Sequence, residues 1–95
     1  MLHLGLLIGT GHLYVNGKYV GVVTYSLSVW RQGEAIGGNG VLSGNALGIE
    51  TAHMQGVGDL ELETGERITI HVHEANMMRG LYTVSGAIPG FPRAE

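Results

Sequence analysis

Apolar and hydroxyl-bearing residues alternate without a break along residues 23–29. The odd positions are apolar and the even positions are Thr or Ser. Because successive side chains of a strand point to opposite faces of its sheet, this pattern predicts a strand with one buried and one solvated face. Gly takes 17 of the 95 positions, and each Gly inside a helix costs about 1 kcal/mol relative to Ala. The sequence therefore predicts an all-β protein.

The length predicts one domain. A chain of 95 residues fits a single domain, residues 1–95, and we expect the tail from about residue 90 to be loose. Apolar residues make up 44% of the chain, which is enough for a core. Sequential hairpins make the sheet antiparallel, and closing it or doubling it removes exposed edges. We expect a small antiparallel β-barrel or β-sandwich of about six to eight strands.

Asn16 and Gly17 predict a tight hairpin, because Asn-Gly is the preferred pair for a two-residue type I′ turn. In that register Val15 lies opposite Lys18. The apolar side chains of the hairpin tip would then point to the opposite face of the sheet from the apolar side chains of the alternating segment. A β-bulge near Gly21 would bring both groups to one core. Otherwise the tip is apolar on both faces and packs on another surface, such as a second subunit.

A second hairpin is predicted with a three-residue loop over residues 63–65, whose Gly suits the left-handed position of a bulged turn. This register sets Leu60 opposite Ile68 and Glu61 opposite Arg67. Apolar residues then meet apolar residues, and opposite charges meet, which a two-residue loop would not achieve.

The remaining elements are predicted from weaker patterns. We expect residues 36–42 and 46–54 to be strands that pair through residues 43–45. Residues 2–8 are expected to form the first strand, and residues 81–88 the last. A single helical turn is expected over residues 74–79, the one window without Gly that favours a helix.

His71 and His73 are the residues that favour a metal site. Residues two apart on a strand share a face, so both imidazoles can reach one ion. Asp59 lies diagonal to His71 in the predicted hairpin register and is a third candidate ligand. The alternative is two neutral histidines on a solvated strand face beside carboxylates. A divalent metal is the one cofactor that the sequence suggests.

Trp30 and the tip of the first hairpin are the candidate interface. Trp30 continues the outward parity of the alternating segment, although it would equally fold over a barrel end. Leu13, Val15 and Val20 are the apolar residues of the hairpin tip. Few charges and many Gly-containing strands favour self-association, so we expect a homo-oligomer.

The charge and the Cys count exclude several function classes. The net charge is −3, and the five basic residues are not clustered, which argues against nucleic acid and anionic membranes as partners. The apolar start of the chain is far shorter than the ~20 residues of a membrane span. Cys is absent, so the cytoplasm is the expected location. The sequence contains neither a Gly-x-Ser-x-Gly nucleophile motif nor a phosphate-binding loop.

We therefore predict a non-catalytic binding or assembly module of unknown ligand. The first alternative is a small-molecule carrier with an apolar barrel lumen. Large residues expected to face inward argue against it, since they would fill a narrow lumen; these are Tyr19, Tyr25, Leu27, Ile68, Ile70 and Tyr82. The second alternative is a metal-dependent enzyme that uses His71 and His73.

Overall fold

The chain folds into a closed antiparallel β-barrel. The structure, a computed structural model, describes residues 2–76, 79–85 and 87–91. Within these ranges it contains one short helix and six strands. The strands are β1 (Leu2–Val15), β2 (Lys18–Gln32), β3 (Ala35–Ser43), β4 (Val57–Glu61), β5 (Arg67–Asn76) and β6 (Arg79–Ser85), and the helix α1 (Ala46–Gln55) lies between β3 and β4.

The strands close in the order β1-β2-β3-β6-β5-β4, and β4 returns to β1. Every neighbouring pair is antiparallel. The predicted all-β fold is confirmed, and of the two expected architectures the chain adopts the barrel.

The first hairpin has the predicted turn and the predicted bulge. Asn16 and Gly17 have positive φ angles of 53° and 77°, as a type I′ turn requires. The register then shifts between Tyr14 and Leu13, which lies opposite Gly21. Gly21 has a φ of 142°, which favours Gly over residues with a Cβ. The bulge changes the phase of β2, so that the hairpin tip and the alternating segment share one core.

This bulge corrects the predicted interface. Leu13 is 0% exposed and Val15 is 3% exposed, and both belong to the core of their own chain. Val20 is half-buried and packs against the same core. The hairpin tip therefore does not offer Leu13 and Val15 to a second subunit.

The second hairpin has the predicted register. Leu60 lies opposite Ile68, and Glu61 lies opposite Arg67. Gly65 has a φ of 89°, the left-handed conformation that the three-residue loop needs.

The strand expected over residues 46–54 is wrong, because this segment forms α1. Asn45 is the N-cap, and its side-chain oxygen accepts a hydrogen bond from the Gly48 N–H at 2.9 Å. Gly56 ends the helix in the left-handed conformation and donates its N–H to Ala52. Capping at both ends fixes a helix where the alternation of apolar residues suggested a strand.

Helix α1 covers one end of the barrel. It contacts all six strands of the described chain, and its Ile49 and Ala52 are fully buried. Gly80 of β6 makes room for the helix, since a Cβ there would lie 2.6 Å from the Cγ2 of Ile49. The helix therefore acts as a lid over the core.

The helical turn expected over residues 74–79 is also wrong in the part that the structure describes. β5 continues through Asn76, which pairs with Arg79 at the start of β6. Residues 77–78 lie outside the described residues. Pairing with β6 satisfies main-chain groups that an isolated turn would leave to solvent.

The last strand is shorter than expected, and the chain after it covers the other end of the barrel. β6 ends at Ser85, and Ile88 forms a bridge with Phe91. Ile88 is 2% exposed and belongs to the core, and Phe91 packs against it. The tail predicted to be loose is therefore packed at Phe91, and residues 92–95 lie outside the described residues.

Large side chains fill the interior of the barrel. Tyr25, Leu27 and Tyr82 are buried, as expected of inward-facing residues. The hydroxyl of Tyr82 donates to the carbonyl oxygen of Ser26 at 2.7 Å. Burial, with a smaller contribution from Tyr25, raises the pKa of Tyr82 well above its usual value. The prediction that Tyr19 faces inward is wrong, since Tyr19 is 53% exposed and lies outside the barrel.

Candidate functional site

One edge of β1 has no strand partner along residues 5–10. β1 pairs with β2 along nearly its whole length, but it pairs with β4 only at His12, Leu13 and Tyr14. No described strand pairs with residues 5–10 on the β4 side. An unpaired edge presents N–H and C=O groups that another strand can use. We call this part of β1 the open edge.

The main-chain N–H and C=O groups of Leu6 and Ile8 point away from β2, to the unpaired side of β1. In an antiparallel ladder, successive residues turn their N–H and C=O groups to alternate edges of the strand. Thr10 shows which residues of β1 point their N–H and C=O groups to the β4 side, because its own N–H donates to Oε1 of Glu63 at 2.8 Å on that side. Counting back by twos, Ile8 and Leu6 face the same side, and no described residue forms a main-chain hydrogen bond with them there.

Glu63 marks one end of the open edge. Its carboxylate takes the N–H of Thr10, and its own N–H donates to the hydroxyl of Tyr25 at 3.2 Å. Gly9 allows this approach, since a Cβ there would lie 2.8 Å from the carboxyl carbon of Glu63. The side chain of Glu63 therefore ends the row of free main-chain groups.

A bulge marks the other end. The register between β1 and β2 shifts between His3 and Gly5, and Leu4 between them packs against the core. The ring of Phe91 lies over Gly5, where a Cβ would come within 2.9 Å of it. The regular part of the open edge thus runs over residues 5–9, with Leu7 at its midpoint.

A groove of about 580 Å³ runs beside the open edge. Leu7, Leu62 and Phe91 give it apolar walls, and Glu63 and Glu66 give it carboxylates. An extended segment that pairs with the open edge would place its inward side chains in this groove.

The outward side chains of the open edge are apolar and exposed. Leu6 is 53% exposed and Ile8 is 67% exposed. Residues 2–10 contain neither Asp, Glu, Lys nor Arg. Natural edge strands are commonly protected by charges, Pro or bulges, and residues 5–9 have none of these within the segment.

The predicted metal ligands lie on the outward face of β5 and β4. His71 lies opposite Thr83, and Nε2 of His73 is 2.6 Å from the Thr83 hydroxyl. Asp59 accepts a hydrogen bond from the Thr69 hydroxyl at 3.2 Å. Among the described residues, no group of three or more His, Cys, Asp or Glu side chains is placed to hold a metal ion. The metal site stays a prediction.

Trp30 lies on the outward side of β2, as its parity predicts. It is half-buried and pairs with His3, whose ring centroid is 4.6 Å from its own. Its proposed role as an interface anchor stays a prediction.

Two smaller grooves cross the outward face of the barrel. One, of about 400 Å³, is lined by Ser26, Asn39 and His73 among others, and a second has a volume of about 290 Å³. Beneath the larger groove, β2, β3 and β6 are each paired on both sides. The smaller groove borders the open edge, since Ile8 is one of its lining residues.

Comparisons of this chain with protein-family models, with curated proteins and with solved structures found no match. In the described part of the chain, no helix is long and apolar enough to cross a membrane.

Sequence reasoning missed the open edge as a site. It predicted a strand at the start of the chain but not that β4 would leave part of β1 unpaired. The available signal was the uncharged run over residues 2–10, which lacks the protection usual for an edge strand.

Proposed function

We propose that this chain is a non-catalytic assembly module that binds an extended segment by strand addition at the open edge. The observation that carries the proposal is a regular, uncharged strand edge whose Leu6 and Ile8 have unpaired main chain and exposed side chains. In strand addition, main-chain hydrogen bonds supply affinity, and pockets for alternate side chains supply specificity. The groove beside Leu7 is such a pocket.

The two alternative functions have less support. A carrier needs space in its lumen, and buried side chains such as Leu27 and Tyr82 occupy the interior of this barrel. A metal-dependent enzyme built on His71 and His73 lacks a third ligand among the described residues. We also keep the cytoplasm as the proposed location, supported by the absence of Cys from the sequence.

An NMR titration with a synthetic peptide tests the proposal. The probe is an extended peptide of alternating Val and Thr with a Lys at each end, and the control peptide carries Pro at its centre. We expect the amide signals of Leu6 and Ile8 to shift with the first peptide and not with the second, because Pro removes a main-chain donor. Shifts confined to another face, or no shifts at all, would reject strand addition.

Two charge variants locate the binding surface. Ile8→Lys places a charge on the open edge, and Met54→Lys makes the same change on α1, where Met54 is 77% exposed. Because burying an Ile side chain is worth about 1.5–3 kcal/mol, we expect Ile8→Lys to weaken peptide binding roughly tenfold or more. Met54→Lys should bind as the wild type does. Equal binding by both variants would place the site elsewhere.

A further inference from the structure

We infer that the segment that occupies the open edge is the open edge of a second copy of this chain, paired antiparallel about a two-fold axis at Leu7. This inference rests on the proposed strand addition and names its partner. It also places the interface on β1, away from the hairpin tip.

The sequence of the open edge is self-complementary. Residues 5–9 read Gly-Leu-Leu-Ile-Gly, which has the same order of small and large residues in both directions. With the axis at Leu7, Leu6 lies opposite Ile8 of the second copy, and Gly5 lies opposite Gly9 of the second copy. A two-fold interface needs this property, because the same patch must contact itself.

The unpaired main-chain groups match in this register. The N–H and C=O groups of Leu6 and Ile8 point to the unpaired side of β1. The axis sets Leu6 of each copy opposite Ile8 of the other copy. A directly opposed pair of this kind exchanges both of its hydrogen bonds. All free groups of the regular segment therefore find partners on the second copy.

The ends of the open edge also match. Past Gly9, the carboxylate of Glu63 already holds Thr10, and past Gly5 the bulge at Leu4 interrupts the strand. The two-fold axis sets the bulged end of one copy against the Glu63 end of the other.

Charge favours a second copy over a foreign strand. A charged side chain beside Leu6 and Ile8 would lose solvent without an opposite charge on residues 2–10 to pair with it. The second copy brings the same uncharged segment. Its Leu6 and Ile8 would lie on the outward face next to those of the first copy and reduce the exposure of all four side chains.

The size of the contact predicts a weak dimer. Stable interfaces bury at least about 1,200 Å² in total, and a strand pair over residues 5–9 is short by that standard. We therefore expect a dimer that forms as the concentration rises. Light scattering of the wild type should give a mass that increases toward twice the 10.1 kDa of one chain.

Single cysteines test the register, and the chain contains no other Cys. With the axis at Leu7, Leu7→Cys faces its own copy at a Cα distance of about 4.5 Å, which suits a disulfide. We expect oxidised Leu7→Cys to run as a covalent dimer. Because Leu7 is half-buried, a second test uses exposed positions.

Leu6→Cys and Ile8→Cys supply that second test. In the proposed register these positions face each other at about 5.5 Å, whereas each faces its own copy only diagonally at about 7–8 Å. An oxidised mixture of the two proteins should therefore give mostly the mixed dimer. Efficient cross-linking of either variant to itself, or no cross-linking of any variant, would overturn the register.

The oligomeric state separates this inference from strand addition itself. Ile8→Lys should abolish the rise in mass, and Met54→Lys should leave it unchanged. If the Val-Thr peptide binds the open edge while the wild type stays monomeric at millimolar concentration, strand addition stands and the second copy is rejected. A dimer that persists in Ile8→Lys also rejects the second copy at this edge.

Discussion

Single glycines determine how closely the strands approach inside the barrel. Gly40 of β3 faces inward, where an added Cβ would overlap the carbonyl oxygen of Ser26 and lie 2.8 Å from the hydroxyl of Tyr82. The overlap with main chain leaves no flexible side chain to move aside. Position 40 therefore requires Gly for space, since its φ angle is not positive.

Gly40→Ala should lower the free energy of unfolding by about 3 kcal/mol, because overpacked cores cost about 1–3 kcal/mol or more. Gly37→Ala on the same strand is the control, since its Cβ would lie 3.6 Å from the Val84 carbonyl oxygen, an ordinary contact. Urea unfolding of both variants measures the difference. Equal stability of the two variants would mean that β2 and β3 do not approach as described.

Tyr82 makes the free energy of unfolding depend on pH at high pH. Its folded-state pKa is raised by burial, so the ionised form is disfavoured in the barrel relative to the unfolded chain. This contribution to stability is fully present below the unfolded value of about 10 and is lost as the pH rises above it.

Tyr82→Phe should therefore change the pH dependence of unfolding. At pH 7 we expect a loss of about 1 kcal/mol, because the hydrogen bond to the Ser26 carbonyl is removed. At pH 11 the difference between wild type and variant should shrink, since only the wild type loses stability from this group. Urea unfolding at both pH values checks this, and a difference that grows with pH would contradict it.

Among the secondary-structure elements, the hairpins were predictable because their signals are local. Asn16-Gly17 fixes one turn, and the charge and apolar pairings fix the register after residues 63–65. The bulge near Gly21 followed from a conflict of parity that only an extra residue resolves. Local turn chemistry and period were thus sufficient for these strands.

Helix α1 was not predictable from its period. Leu47 and Met54 are 78% and 77% exposed, while Gly48 and Ile49 are buried, so apolar residues do not mark one face. The caps were the better signal, since Asn45 and Gly56 bracket the helix.

The candidate site was not predictable, because it depends on where the pairing between β1 and β4 ends. The sequence located the strand at the start of the chain, but nothing local to it states where β4 ends. The metal site was predicted from the spacing of His71 and His73 on one strand. Among the described residues, no third ligand lies with them. Spacing locates neighbours on one strand, whereas a site requires several strands to meet.

For the whole molecule, unequal strand lengths explain why a closed barrel retains an open edge. β1 has 14 residues, and β4, which closes the barrel against it, has 5. β4 reaches only His12, Leu13 and Tyr14, so the first half of β1 projects beyond the closure. Phe91 and Glu63 approach this half with side chains and leave its main chain unpaired between them. The same mismatch in strand length that limits closure creates the open edge.

Amide hydrogen exchange along β1, measured by NMR at two protein concentrations, tests this account most directly. In dilute protein we expect fast exchange at Leu6 and Ile8 and slow exchange at Leu7, whose N–H faces β2. At high concentration Leu6 and Ile8 should become protected, while Leu7 stays as it was. Slow exchange at Leu6 and Ile8 in dilute protein, or exchange that does not change with concentration, would contradict an open edge that pairs with a second copy.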